Sequence, residues 1–258
     1  MWVLPLWVSV AQLEVVNCPR HLLASCDSVM VLQNINTRIA FDTTNTGLIL
    51  LYASPLMMES ILIRNRAIAV NPVDGNLQAA PEPRWSVKYP VIPGSDVAGV
   101  VVAVGPNVTS FKEGDRVLGH GVVMFTRELQ CCAFQAHTIV RTNMASEIPD
   151  NISFESAAVI PLGFSTAACG LFQDTFLNLQ LPTVLPQKQT GKTLLIWGGA
   201  SSVGSNAIQL AVAAGYKVIT TASAKTSMEA LIGKTLVGAI DCIGQEAAKI
   251  LSYLRVVR

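Results

Sequence analysis

The spacing of apolar residues changes near residue 150, and the two patterns predict two kinds of structure. Residues 61–70 have the pattern of a strand that ends at Asn71-Pro72, and residues 97–104 form a run rich in β-branched residues that ends at Gly105-Pro106-Asn107. The residue before a proline is pushed out of the helical region, and Gly, Pro and Asn together form turns, so each run predicts a β-strand. Short strands separated in this way predict a small β-barrel. Residues 1–57 carry no motif and stay unassigned.

The second pattern alternates strands and helices. Ser153 is expected to cap a helix that runs through an Ala-rich segment to Ile160, and residues 164–172 are expected to form a second helix after a break at Pro161-Leu162-Gly163. Residues 193–197 predict a strand that runs into a glycine turn, and a helix and a strand at 216–221 follow. The order strand, glycine turn, helix, strand opens a nucleotide-binding βαβ unit.

The glycine turn has the chemistry of a diphosphate site. Gly199 and Gly204 occupy the outer positions of G-x-G-x-x-G, and Ser201 replaces the middle glycine. A helix N-terminus offers free N–H groups and the positive end of the helix dipole, and glycines let the backbone approach the phosphates. The hydroxyls of Ser201 and Ser202 are expected to add donors. The alternative is a tight strand-to-helix turn that binds nothing.

The end of the second predicted strand indicates the cofactor. An acidic residue there would bind the ribose 2′-hydroxyl of NAD, but the chain continues Ala222-Ser223-Ala224-Lys225. The Ser223 hydroxyl and the Lys225 ammonium suit a 2′-phosphate, which favours NADP(H). The alternative for Lys225 is an ordinary solvated lysine.

Composition excludes several function classes. Apolar residues make up 51% of the 258 residues and the net charge is +1, which predicts a buried core and argues against nucleic acid as the main partner. The six cysteines show no C-x-x-C spacing, and the three histidines are scattered, so we expect reduced thiols and no metal site.

No run of apolar residues in the sequence is long enough to span a bilayer. The apolar residues 1–13 resemble a signal segment, but no Lys or Arg precedes Arg20 and no A-x-A pattern follows; we expect a cytoplasmic protein without a membrane partner.

Five ordered segments resemble the medium-chain dehydrogenase/reductase superfamily. They are Asn71-Pro72-Val73-Asp74, Tyr89-Pro90-Val91-Ile92-Pro93-Gly94-Ser95-Asp96-Val97-Ala98-Gly99, Glu113-Gly114-Asp115-Arg116-Val117, Pro161-Leu162-Gly163-Phe164-Ser165-Thr166-Ala167 and Trp197-Gly198-Gly199-Ala200-Ser201-Ser202-Val203-Gly204. Within the superfamily the chain is most similar to the zinc-independent quinone- and enoyl-reductase branch, especially the fungal trans-enoyl reductases that work beside polyketide synthases. The similarity covers residues 61–225 and 231–250.

The resemblance implies an α/β fold with two domains: a GroES-like β-barrel domain at 58–160 and a partial Rossmann-type parallel sheet domain at 161–258. It implies direct hydride transfer from NADPH to the activated C=C bond of an enoyl substrate, or to a quinone, in trans with a polyketide synthase. It assigns no catalytic acid or base. It also implies a place for each matching residue: the nicotinamide end for Asn71, Pro72, Val73 and Asp74, the nicotinamide and phosphates for Thr166, the pyrophosphate for Ala200, Ser201, Ser202 and Val203, the 2′-phosphate for Ser223 and Lys225, and the substrate for Phe164.

The zinc alcohol dehydrogenases share this architecture but require Cys and His ligands. His120 lacks a Gly-His-Glu context, and Cys131 and Cys132 are adjacent, which is a poor geometry for one ion. We therefore expect no metal.

The chain departs from the family pattern in two places. About ten residues after Lys225 it reaches residues 235–244, which match a later strand of the family, so one βα unit is expected to be absent. It ends at Arg258, before the remaining family strands. These departures predict low stability and leave two alternatives: a truncated, catalytically inactive NADP(H)-binding remnant, and a protein that acts only when a synthase presents the substrate.

Overall fold

The computed structural model describes residues 30–33, 59–79, 92–122, 128–185, 187–221 and 235–242. They divide into two compact units, one up to Pro161 and the other from Leu162 onward. The first unit contains an antiparallel sheet and the second a parallel sheet, which confirms the predicted α/β class.

The first unit is built around one long strand. Its strands are β1 (Met30–Gln33), β2 (Ser60–Val70), β3 (Asp96–Val104), β4 (Arg116–His120), β5 (His137–Arg141) and β6 (Ala145–Glu147). They pair in the order β1-β2-β3-β4-β6, and β5 pairs with the first half of β2. Its helices are α1 (Pro72–Ala79) and α2 (Phe154–Ala158), and Ser153 caps α2 as the sequence predicted, since its side chain accepts from the N–H of Ser156.

A register shift in β2 changes which of its positions face the main cluster. Before the shift Ile61 and Ile63 lie in this cluster, where they join Val97, Val117 and other apolar residues. Between Asn65 and Ala67 the pairing with β3 shifts, and Ala67 contributes to a second cluster with α2. A shift of one residue turns a strand's side chains to the opposite face of the sheet, so after it Ile68 and Val70 belong to the main cluster.

The second unit has a three-stranded parallel sheet with two helices on it. Its elements are α3 (Pro161–Phe172), β7 (Thr193–Trp197), α4 (Ser202–Ala213), β8 (Lys217–Thr221) and β9 (Leu236–Asp241). The central strand β7 is flanked by β8 and β9, and Leu194 and Ile196 of β7 are fully buried in one cluster with both helices. The predicted β7, α4 and β8 are confirmed.

Two details of this unit bear on the sequence predictions. Helix α3 begins at Pro161, not Phe164, because proline is favourable in the first turn of a helix, where its missing N–H is not needed. Strand β9 lies beside β7 and not beside β8. In dinucleotide-binding sheets the fourth strand takes that position, which agrees with the expectation that residues 235–244 correspond to a later strand.

One stretch of the described residues, Phe154–Phe172, is long and apolar enough to match a membrane-crossing helix by length and composition alone. It is divided into α2 and α3, and a third of it is buried. Its alanines belong to the protein cores, where Ala157 and Ala158 pack in the first unit and Ala167 in the second. Core helices pass the same test, so the stretch is weak evidence for a membrane.

Asn65 anchors a loop to β2, which gives a test of the first unit. Its Nδ2 donates to the carbonyl oxygens of Ala133 and Gln135 and to Thr138 Oγ1, at 2.8–2.9 Å. Asn65→Ala would leave the carbonyl oxygen of Gln135 without this donor, whereas Ala133 O keeps the N–H of Gln135 and the Thr138 hydroxyl keeps its bond to Cys132 O. We expect the substitution to lower the free energy of unfolding by about 1–3 kcal/mol in urea denaturation. The matched control is Thr142→Ala, since the Thr142 hydroxyl makes one long, exposed bond of 3.4 Å to Glu59 O. Equal effects of the two substitutions would contradict the anchoring role of Asn65.

Candidate nucleotide-binding site

The turn between β7 and α4 closes tightly on itself. Gly198 has a φ of +79°, a conformation that glycine adopts without strain. Gly204 lies against the carbonyl oxygen of Gly198 and the Cα of Gly199, so that a Cβ at 204 would collide with backbone. A Cβ at Gly199 would collide with the Thr220 side chain of β8. The two outer glycines of the predicted fingerprint are therefore required by close packing between strand, turn and helix.

Ser201 stabilises the turn through hydrogen bonds to other residues of the turn. Its hydroxyl accepts from the N–H of Gly204 at 3.0 Å, which caps α4, and donates to the carbonyl oxygen of Gly198 at 2.8 Å. Its backbone N–H also donates to Gly198 O, at 3.0 Å. The turn itself thus uses the hydroxyl proton of Ser201, and donation from this hydroxyl to a ligand stays a prediction.

Three backbone donors remain at this end of α4. Within the described residues, the N–H groups of Ala200, Ser202 and Val203 donate to no protein acceptor. They lie at the N-terminus of a 12-residue helix, where the dipole is positive and the first N–H groups lack partners inside the helix. Such a set of amides binds a phosphate or a diphosphate.

The turn is held from both neighbouring strands. On one side the N–H of Gly198 donates to Thr221 Oγ1 at 3.1 Å, and the N–H of Gly199 donates to Thr221 O at 3.0 Å. On the other side the N–H of Cys242 donates to Trp197 O at 3.1 Å. The chain leaves β7 toward β8 and later returns on its opposite side as β9, and ligands of open parallel sheets bind at such a switch point.

Helix α3 packs closely against this site. A Cβ at Gly163 would lie 2.5 Å from Ser202 Oγ and 3.0 Å from Asn206 Nδ2. Thr166 follows Gly163 by one helical turn, and its side chain is exposed. Phe164 is also exposed, with 43% of its surface accessible. The structure thus brings α3 beside the turn and leaves both predicted residues accessible.

The segment 71–74 lies in the first unit, at the end of β2 and the start of α1. Asn71 and Asp74 are buried and bonded within that unit: Asn71 Nδ2 donates to Asp96 Oδ2 at 2.8 Å, and Asp74 accepts from the N–H groups of Asn71 and Gly94 at 2.8 and 3.0 Å. Pro72 is exposed and Val73 is partly exposed. Most of the accessible surface of the four predicted residues therefore belongs to Pro72 and Val73.

Burial dominates the electrostatics of the first unit. It raises the pKa of Asp74 to about 6, against the opposing effect of the two N–H bonds that the carboxylate accepts. It lowers the pKa of His120 and raises that of the Cys132 thiol well above its ordinary value. Among the residues that the structure describes, no three His, Cys, Asp or Glu side chains could hold a metal ion together.

Two residues that hold the turn were not predicted from the sequence, and two predicted residues cannot be placed in the structure. Thr221 and Trp197 hold the turn through hydrogen bonds that only the fold brings together, although the end of the second strand was recognised as an important position. Ser223 and Lys225 lie outside the described residues.

Comparisons with known proteins agree with this architecture. Residues 58–163 match the alcohol dehydrogenase GroES-like domain, which confirms the predicted GroES-like fold. The chain is 48% identical over 209 residues to the zinc-binding alcohol dehydrogenase domain-containing protein cipB of Emericella nidulans, covering 72% of this chain and 57% of that protein. It is 48% identical over 163 residues to the trans-enoyl reductase himH of Aspergillus japonicus, covering 63% of this chain and 46% of that protein.

Among solved structures, an alcohol dehydrogenase superfamily protein from Novosphingobium aromaticivorans superposes with a TM-score of 0.59 at 27% identity. The superposition covers 85% of this chain and 62% of the other. The chain thus spans about half the length of the curated relatives that it matches.

Two glycines of α3 provide a matched pair of substitutions. We expect Gly163→Ala to lower the free energy of unfolding by about 1–3 kcal/mol, because its Cβ would crowd Ser202 and Asn206 at the start of α4. Gly170→Ala meets only the flexible end of Ile240 and gains helix propensity, so its effect is expected to lie between zero and a stabilisation of about 1 kcal/mol. Urea denaturation measures both. A stable Gly163→Ala variant would contradict the close packing of α3 on α4.

The raised pKa of Asp74 predicts a particular pH dependence. The folded chain binds this proton more tightly than the unfolded chain, so the stability that the group contributes is full below pH 3.8 and is lost as pH rises to about 6. The loss amounts to about 3 kcal/mol. We expect the stability of the wild type, relative to Asp74→Asn, to fall by about 2 kcal/mol of this total between pH 4 and pH ~6.5 in urea denaturation.

His120 opposes this trend, since its lowered pKa destabilises the fold as pH falls, but it is present in both proteins and cancels in the difference. A relative stability that rises with pH would show that the two N–H bonds outweigh burial.

Proposed function

Because the chain is a member of the medium-chain dehydrogenase/reductase superfamily, we propose that it is an oxidoreductase that binds NADPH and reduces an activated C=C bond. The substrate is the enoyl group of a small unsaturated molecule, with a quinone as the second candidate. The observation that carries the proposal is the set of three unpartnered amides, of Ala200, Ser202 and Val203, at the N-terminus of α4. These amides suit the two phosphates that join the halves of a dinucleotide.

Each of the other predicted residues has a proposed role in binding the cofactor or the substrate. The pyrophosphate is bound by Ala200, Ser202 and Val203, while Ser201 and the glycines at 199 and 204 shape the turn. Thr166 lies near the phosphates and nicotinamide, and the exposed Phe164 borders the substrate. In the first unit, Pro72 and Val73 are the accessible members of the segment proposed for the nicotinamide end, and the buried Asn71 and Asp74 hold its backbone. The bound cofactor supplies a hydride, and the protein's contribution is to hold it against the substrate and exclude water.

The phosphorylated cofactor is favoured by the residues that follow β8. No carboxylate occurs from 222 to 225, and Ser223 and Lys225 offer a hydroxyl and a cation for the 2′-phosphate. The name of the Aspergillus japonicus relative, a trans-enoyl reductase, supports an enoyl substrate. We propose that the substrate is an acyl thioester presented by a polyketide synthase in the cytoplasm.

Calorimetric titration with NADPH and NADH tests cofactor binding. We expect the wild type to bind NADPH more tightly, and Lys225→Gln to lose about tenfold in affinity for NADPH but little for NADH, because only NADPH carries the 2′-phosphate. The matched control is Lys192→Gln: Lys192 is exposed and precedes the amino end of β7, opposite the glycine turn, so its loss should change neither affinity. Tighter binding of NADH in both lysine variants and the wild type would contradict the choice of cofactor.

Turnover is tested separately, by following NADPH absorbance with an α,β-unsaturated thioester and with a quinone, each with and without a candidate synthase. Consumption of NADPH with the thioester supports the reductase, and consumption only when the synthase is present shows that the chain acts in trans.

The second candidate function is an NADP(H)-binding protein without catalysis. It is supported by the local geometry of the three amides, which only β7 and α4 are needed to supply, and it predicts NADPH binding with no turnover under any of these conditions.

A further inference from the structure

The segment that connects α3 to β7 exposes three large apolar side chains within five residues. Val184 is fully accessible to solvent, and Leu181 and Leu185 are 66% and 77% exposed. We term residues 181–185 the apolar loop. Single apolar residues scattered over a surface are ordinary, whereas several together on one loop mark an interaction surface.

Hydrogen bonds within the segment give the apolar loop a defined shape. Gln187 Nε2 donates to Leu181 O at 3.0 Å, and Thr183 Oγ1 donates to Leu185 O at 2.8 Å. These bonds pair two backbone carbonyls of the loop, and Pro182 has no N–H that needs a partner. The loop therefore presents apolar side chains while fewer of its backbone groups depend on water, which lowers the cost of contact with lipid.

The apolar loop lies at the amino end of the parallel sheet. Gln180, which precedes it, donates through Nε2 to Ala214 O at 2.6 Å. Thr190, which follows it, donates through its N–H and Oγ1 to Gly215 O at 2.9 and 3.1 Å. Residues 214–216 lead directly into β8, whereas the glycine turn lies at the opposite, carboxyl end of β7. The apolar loop is therefore not part of the candidate nucleotide-binding site.

Three exposed lysines lie at the same end of the sheet. Lys188 closely follows the apolar loop, and the backbone N–H of Lys217 donates to Lys192 O at 3.0 Å, which places these two residues side by side at the starts of β8 and β7. None of the three forms an ion pair among the described residues. Residues 162–221 contain no other Lys or Arg and a single carboxylate, Asp174. This end of the second unit is therefore positively charged as well as apolar.

Charge and shape together favour one kind of partner for this surface. A second copy of the chain in a two-fold interface would bring the same patch of both copies together, and the lysines would repel one another. A protein partner needs a groove that matches the loop, whereas a bilayer accommodates a side chain that projects as far as Val184 does. Anionic lipids attract lysines near the membrane surface, and apolar side chains enter the boundary between headgroups and acyl chains.

We propose that the apolar loop and the three lysines form one surface that binds membranes containing anionic lipids. The apolar side chains insert at the level of the headgroups, and the ammonium groups contact the charged groups of the lipids. This inference goes beyond the proposed function and does not rest on it. The sequence-based expectation of no membrane partner relied on the lack of a bilayer-spanning run, which a surface of this kind does not require.

Cosedimentation of the full chain with vesicles tests the proposal. One set of vesicles contains phosphatidylcholine alone, and the other contains about 30% phosphatidylserine in addition. We expect binding to the phosphatidylserine vesicles at about 0.1 M NaCl, at least tenfold weaker binding to phosphatidylcholine alone, and release at about 0.5 M NaCl, because salt screens the lysines. A wild type that does not bind phosphatidylserine vesicles would overturn the proposal and leave an acidic protein as the partner that fits this surface.

Substitutions separate the apolar and the charged contributions. We expect Val184→Ser combined with Leu185→Ser to lower the partition coefficient about tenfold, because the inserted methyl and methylene groups are lost. Lys188→Gln and Lys217→Gln should each lower it about fivefold. Leu185→Trp should raise the partition coefficient, because tryptophan prefers the membrane interface.

The matched controls lie away from this surface. Phe164→Ser removes an exposed apolar side chain beside the glycine turn, and Lys112→Gln removes an exposed lysine of the first unit. Both should bind vesicles as the wild type does, and losses equal to those of the loop and lysine variants would contradict the proposed surface. Circular dichroism establishes that each variant is folded. If the double serine variant does not fold, Leu185→Trp decides the question, since an unchanged partition coefficient would contradict insertion of the loop.

Discussion

The contact between Gly204 and the carbonyl of Gly198 determines the geometry of the candidate site. It draws the start of α4 against the end of β7, and only a residue without a Cβ fits there. Once the turn is closed, Ser201 reaches both Gly198 and Gly204 and uses its own donors inside the turn. The amides that remain, on Ala200, Ser202 and Val203, are left for a ligand because the turn needs none of them. The proposed diphosphate recognition would thus be a consequence of backbone packing, with side chains acting mainly by shaping the turn.

The two units position their functional segments by different means. The first uses buried polar side chains: Asn65 holds the loop before β5, and Asp74 ties the start of α1 to Gly94. The Nδ2 of Asn65 and the carboxylate of Asp74 are paired with backbone groups, although Asn65 Oδ1 has no partner among the described residues, and these bonds fix the backbone around each side chain. The second unit uses small residues, such as Gly163 and Gly170 of α3, which let helices approach their neighbours closely. A polar network specifies a loop, whereas close packing specifies the spacing between a helix and a sheet.

Structural features that depend only on neighbouring residues in the chain were predicted correctly from the sequence. The strand at 193–197, the glycine turn and the N-cap at Ser153 follow from residue order alone, and all three are found. The sequence-based prediction failed in two different ways. It starts α3 too late because it treats Pro161 only as a helix breaker, although proline also starts helices. The pairing of Asn71 with Asp96, and of Thr221 with Gly198, depends on strands that meet only in the folded chain, so no spacing rule could reveal them.

The position of β9 explains how a sheet of three described strands can present a complete turn. Hydrogen bonds continue past the ends of the strands on both sides of β7, from Gly199 to Thr221 and from Cys242 to Trp197. The turn is therefore held by its two immediate neighbours and by helix α3 behind Ser202. Further strands beyond β8 or β9 would add area to the sheet but would not touch these bonds. Because the geometry of the amides is local to these elements, the proposed cofactor binding does not depend on the proposed turnover, and each can be tested by itself.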